Sequence, residues 1–131
     1  HHDGGVRLTV RRWLPPLLWA GFILFGTSLP QEVVPVQTSK IDKILHFSIY
    51  TVFSFLLTRQ MLDFTTRWRG AAIAVAFAAV FGALDEWHQR FIPGRSTEFA
   101  DWQADSLGAV VGAVAGVALL RRRTPQTTLP G

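Results

Sequence analysis

The chain has 131 residues, of which 49% are apolar and 17% charged, against roughly a quarter charged in soluble domains. There is no cysteine, which excludes disulfides and thiolate metal sites. The net charge is +4, but the basic residues are spread between apolar blocks and line no single face, so the pattern argues against a nucleic-acid partner.

Four apolar segments follow one another, at 13–29, 44–62, 70–87 and 106–120. A bilayer core takes about 20 apolar residues as helix, with a range of roughly 17–25. The first three are long enough, and the fourth becomes so if its helix begins near Thr97. Backbone groups in lipid must be satisfied internally, so each segment is expected to be helical. A soluble bundle would show a polar stripe along every helix, and 107–120 has none. The expected fold is therefore all-α: one domain over 1–131, a four-helix transmembrane bundle.

Orientation follows from Lys and Arg. Arg7, Arg11, Arg12, Arg59, Arg67, Arg69, Arg121, Arg122 and Arg123 fall on one side, and Lys40, Lys43, Arg90 and Arg95 on the other. Basic flanks stay in the cytoplasm, so both termini are expected inside, with 30–43 and 91–104 outside. Pro15 and Pro16 within the first segment, and the exit "GTSLPQE", favour an uncleaved first span over a signal peptide. Trp13, Trp19, Trp68, Trp87 and Trp102 lie mostly near segment ends, where indole rings prefer the headgroup level.

The polar residues gather toward the outer side. Lys43, His46, Tyr50 and Ser54 are spaced i, i+3, i+7 and i+11, which places them on one helical face. "SKID" before them reads as a capping box, with Ser39 at N-cap and Asp42 at N3. On the third segment Asp85 and Gln89 share a face with His88 beside them, and Glu86 and Arg90, four apart, form a candidate ion pair. On the fourth, Asp101, Asp105, Gly108, Gly112 and Gly116 follow one seam. Glycines spaced by four let a second helix come close, so the acids at the top of the seam should point into the bundle. Pro93-Gly94 is a turn signal that sets Arg95 above Asp85, Glu86, Asp101 and Asp105. Ionisable groups at membrane depth cost several kcal/mol unless paired, hydrated or functional, and this many in one place read as a site.

Two stretches, "DKILHFSIY" at 42–50 and "DEWHQRFIPGRSTEFADWQADSLGAVVG" at 85–112, resemble the VanZ-like family. The matching residues are Asp42, Lys43, His46, Phe47 and Tyr50, then Asp85, Glu86, Gln89, Gly94, Arg95 and Asp101; at Asp105 many members carry Asn. The resemblance covers about 38–120. It implies a small multi-pass protein of the bacterial cytoplasmic membrane, from a family linked by name to teicoplanin resistance.

Three functions are open to such a cluster. It could bind or act on a lipid-linked, anionic envelope component at the outer leaflet, with Lys43, Tyr50, Gln89, Arg95, Asp101 and Asp105 holding the headgroup. In that case Asp85 or Glu86 would serve as general acid or base, with His46 as proton shuttle. It could instead be a non-catalytic pocket that alters the access of a glycopeptide antibiotic or of lipid. Or His46, His88 and Asp85 could hold a divalent metal, although no dense ligand motif is present. No cofactor is expected beyond such an ion. The expected partners are membrane lipids, with a lipid-linked precursor or the antibiotic as ligand. No Ser-x-x-Lys, G-x-S-x-G or P-loop pattern supports serine chemistry or nucleotide use.

Overall fold

The computed structural model describes residues 2–28, 39–92 and 99–120, with side chains over 13–28, 43–92 and 99–120. The described residues form four helices and no strand: α1 (His2–Ser28), α2 (Ser39–Met61), α3 (Arg67–Gln89) and α4 (Phe99–Leu120). Each contains one of the four apolar segments. Pro15 and Pro16 sit inside α1 without ending it. α2 opens at Ser39, but the capping contacts expected of Ser39 and Asp42 involve side chains outside the described residues. α4 starts at Phe99, early enough for its apolar part to be preceded by two turns that carry Asp101 and Asp105.

The connection between α2 and α3 is short, and short connections make antiparallel neighbours. Its turn is held by the Phe64 and Thr65 amides, which donate to the Met61 carbonyl at 2.9 and 3.0 Å. Cross-helix contacts fix the remaining directions. Trp13 stacks on Phe64 and the Trp19 indole donates to the Ile49 carbonyl at 2.9 Å, so α1 is antiparallel to α2. Trp102 donates to the Ala79 carbonyl at 2.9 Å, and Ala71 packs with Ala113 and Val117, so α3 is antiparallel to α4. Lys43 meets Asp101 and the Ser54 hydroxyl donates to the Ala109 carbonyl at 2.6 Å, so α2 and α4 run parallel. The bundle is thus up-down-up-down. The C-terminal ends of α1 and α3 and the N-terminal ends of α2 and α4 meet at one end of it.

The contact between α2 and α4 is the most extensive in the bundle, and the glycine seam explains it. A Cβ on Gly108 would overlap the Phe47 carbonyl, and one on Gly112 the Thr51 carbonyl. At Gly116 the Thr58 methyl group would stand 2.9 Å away. The backbones therefore touch where side chains would ordinarily separate them.

Polarity is inverted with respect to a soluble bundle. Leu17, Leu18, Phe22, Phe25, Leu84, Phe91, Phe99, Leu107 and Leu119 are among many large apolar side chains that are more than half exposed. Ser54, Thr58, Asp85 and Asp105 are among the least exposed residues, at 0–2%. Of the four expected spans, α3 and α4 are long and apolar enough by themselves to cross a membrane, and α1 contributes the shorter apolar stretch Trp13–Ser28. α2 does not qualify, because His46, Ser48, Thr51, Ser54, Thr58 and Arg59 interrupt its apolar run. It packs against all three other helices, so much of that polarity faces protein.

Overpacking a close contact costs about 1–3 kcal/mol. Gly112→Ala is therefore expected to lower the melting temperature in detergent clearly. Gly21→Ala, where nothing lies within 4 Å of the added carbon, should leave it unchanged. Equal melting temperatures for the two variants would contradict the seam.

Candidate functional site

The α2 face predicted from its spacing meets the top of the α4 seam rung by rung. Lys43 Nζ stands 3.6 Å from Asp101 Oδ1. One turn further, His46 Nδ1 and Asp105 Oδ1 are 2.7 Å apart. Ser54 closes the ladder on the Ala109 carbonyl. Asp101 and Asp105 are buried, as the seam implied. Tyr50 lies between these rungs against α3. Its ring edge and the Asp105 carboxylate line the place where a Cβ on Gly82 would sit, at 3.4 and 3.0 Å. Gly82 is thus what lets α3 close over the ladder.

α3 supplies the other two carboxylates. Its buried face reads Gly70, Ala71, Ala74, Ala78, Gly82, Asp85, Glu86 and Gln89, small along most of its length and polar at the end. Asp85 accepts a hydrogen bond from the Thr27 hydroxyl at 2.7 Å and a longer one from the Gln89 amide at 3.5 Å. Glu86 is 9% exposed, and both of its carboxylate oxygens are buried without a hydrogen-bond partner among the described residues. The Tyr50 hydroxyl, Asp105 Oδ2 and the Ser106 hydroxyl are in the same condition. A buried polar atom left unpaired costs about 1–3 kcal/mol, and most of the atoms without a partner among the described residues stand at this end of the bundle.

The structure therefore brings together Lys43, His46, Tyr50, Asp85, Glu86, Gln89, Asp101 and Asp105 from three helices. Arg95, expected above the carboxylates, lies outside the described residues. The expected Glu86–Arg90 pair does not form among them: Glu86 turns inward, whereas Arg90 is exposed. The metal set expected from sequence is also regrouped. The donors that converge are His46, Glu86 and Asp101, with ligand atoms all within 4.8 Å of one another. His88 is half-buried beside them, with Nδ1 unpartnered, and belongs to no such group among the described residues. Sequence reasoning missed Thr27. Its only signal was a hydroxyl at the end of an apolar run, and that hydroxyl also lies 2.9 Å from the Ile23 carbonyl of its own helix, so its single proton is shared between that carbonyl and Asp85.

An all-helical bundle with apolar sides and a carboxylate-rich polar end is thus what fold and site define. The family model for VanZ/LLP1 matches residues 9–121, and the chain belongs to that family. The match reaches beyond the motif-bearing stretch to take in most of α1. Neither the comparison with curated proteins nor the comparison with solved structures yields a match.

Leaving a buried acceptor without its donor costs about 1–3 kcal/mol. Thr27→Val, which keeps the shape and removes the donor to Asp85, is expected to destabilise the protein by about that amount in detergent unfolding. Ser28→Ala removes a hydroxyl that, among the described residues, is bonded only to the Leu24 carbonyl of its own helix, and should cost little. Equal costs for the two variants would detach α1 from the site.

Proposed function

We propose that the protein is a multi-pass protein of the bacterial cytoplasmic membrane that binds the anionic headgroup of a lipid-linked envelope component at the outer leaflet. The observation that carries this reading is the inverted polarity: large apolar side chains face outward around a bundle whose buried carboxylates, Asp85, Glu86, Asp101 and Asp105, gather at one end. In water such a surface would be unstable as a monomer. In lipid it is the ordinary arrangement, and polar residues there face the bundle interior and mark functional sites. The basic flanks of the opposite end support an orientation with the polar end outside. Lys43, a third exposed at its side chain, is positioned to meet a phosphate as a point charge. Arg95 joins it through the family motif. Asp85, Glu86 and His46 are the residues that would move a proton if the bound component is also transformed. The link of VanZ-like proteins to teicoplanin resistance fits a protein that engages a lipid-linked precursor and so alters what a glycopeptide can reach.

Two experiments test the reading. A cysteine at exposed Arg90 should react in intact cells with an impermeant thiol reagent, and one at exposed Thr66 should not; the reverse pattern would invert the orientation. A polyprenyl phosphate should raise the melting temperature of the purified protein above that in phosphatidylcholine alone, and Lys43→Gln should remove most of the increase. No increase in the unaltered protein would overturn the headgroup reading.

A further inference from the structure

From the donor geometry we infer that His46, Glu86 and Asp101 form a divalent-cation site. Three observations converge. The ligand atoms of the three residues lie within 4.8 Å of one another. Metal–nitrogen and metal–oxygen bonds run about 2.0–2.2 Å for zinc, so two ligands of one ion stand at most about 4.4 Å apart and the widest pair here must draw together by a fraction of an ångström or more. The Glu86 carboxylate, 9% exposed, has no hydrogen-bond partner at either oxygen among the described residues. A buried carboxylate among acidic neighbours is costly while ionised, and a bound cation would offset that cost. Third, Asp105 is placed as metal-binding histidines are usually supported. Its carboxylate engages His46 Nδ1 at 2.7 Å, which fixes the ring and makes Nε2 the nitrogen that would face the ion. This is the carboxylate–histidine–metal relay seen around many sites.

The local charge points the same way. Asp85, Glu86, Asp101 and Asp105 bring four carboxylates to the described part of the site, against Lys43 and the His46 ring. One imidazole and two carboxylates suit a borderline or moderately hard ion, such as Zn²⁺ or Mn²⁺, better than a soft one. Three protein ligands also leave coordination positions for an oxygen from outside. An ion here would give an anionic headgroup a positive partner. The inference itself rests on the donor set and stands without the headgroup reading.

The test uses full-length protein in detergent, free of added lipid, titrated with Mn²⁺ while unbound Mn²⁺ is followed by electron paramagnetic resonance, and then with Zn²⁺ as competitor. One saturable Mn²⁺ per chain, displaced by Zn²⁺, is expected. Glu86→Gln and Asp101→Asn should each weaken binding at least about tenfold, since each removes an anionic ligand. Asp105→Asn, which touches only the support of His46, should weaken it about 10–100-fold. Asp63→Asn, beyond the far end of α2, should leave it unchanged. Absence of saturable binding by the unaltered protein would overturn the site. So would unchanged affinity in Glu86→Gln and Asp101→Asn variants that retain their helical circular dichroism, which would show that the ion binds adventitiously elsewhere.

Discussion

The close approach of α2 and α4 is the constraint on which the rest depends. Aspartate is a short side chain, and it can meet His46 at 2.7 Å only if the two backbones nearly touch. Gly108 and Gly112 permit this by leaving the Phe47 and Thr51 carbonyls room that any Cβ would fill. Helix association in lipid draws on van der Waals contact and interhelical hydrogen bonds, because burying apolar surface gains little there. The seam supplies the first and the Ser54–Ala109 bond contributes the second. A seam held apart by even one methyl group would separate both polar rungs above it.

The helix ends account for how the carboxylates are distributed. Asp101 lies in the first turn of α4, where the positive end of the helix dipole favours an anion. Asp85 and Glu86 lie near the C-terminal end of α3, where the dipole opposes them. Asp85 is compensated by the Thr27 and Gln89 donors. Glu86 has no such donor among the described residues, and it converges with His46 and Asp101. The least compensated carboxylate is thus the one that converges with the other two donors of the inferred cation site.

Much of this was legible in the sequence, for identifiable reasons. Apolar runs located the helices, the i, i+3, i+7, i+11 spacing found the face of α2 that carries Lys43, His46, Tyr50 and Ser54, and the glycine repeat marked the seam. Local rules failed where a neighbouring helix decides. Glu86 and Arg90 satisfy the i, i+4 rule, yet the edge of the buried face of α3 runs between them, so one points in and the other out. Thr27 and Asp85 are far apart in sequence, and no local spacing relates them. Trp19 and Trp102 each donate the indole N–H to a carbonyl of an adjacent helix, and no local spacing relates those partners. The choice of Glu86 and Asp101 over His88 as partners of His46 depends on how three helices rotate against one another, which periodicity does not encode.

If the seam delivers Asp105 to His46, the two side chains are energetically coupled, and a double-mutant cycle measures that coupling. Unfolding free energies would be measured in detergent for the unaltered protein, His46→Gln, Asp105→Asn and the double variant. Residues in contact couple by about 0.5–3 kcal/mol, whereas separated ones add to within about 0.3–0.5 kcal/mol. The account predicts a coupling of about 1 kcal/mol or more, with the double variant costing less than the two single ones together. Additive costs would place the two side chains apart and contradict the site as described.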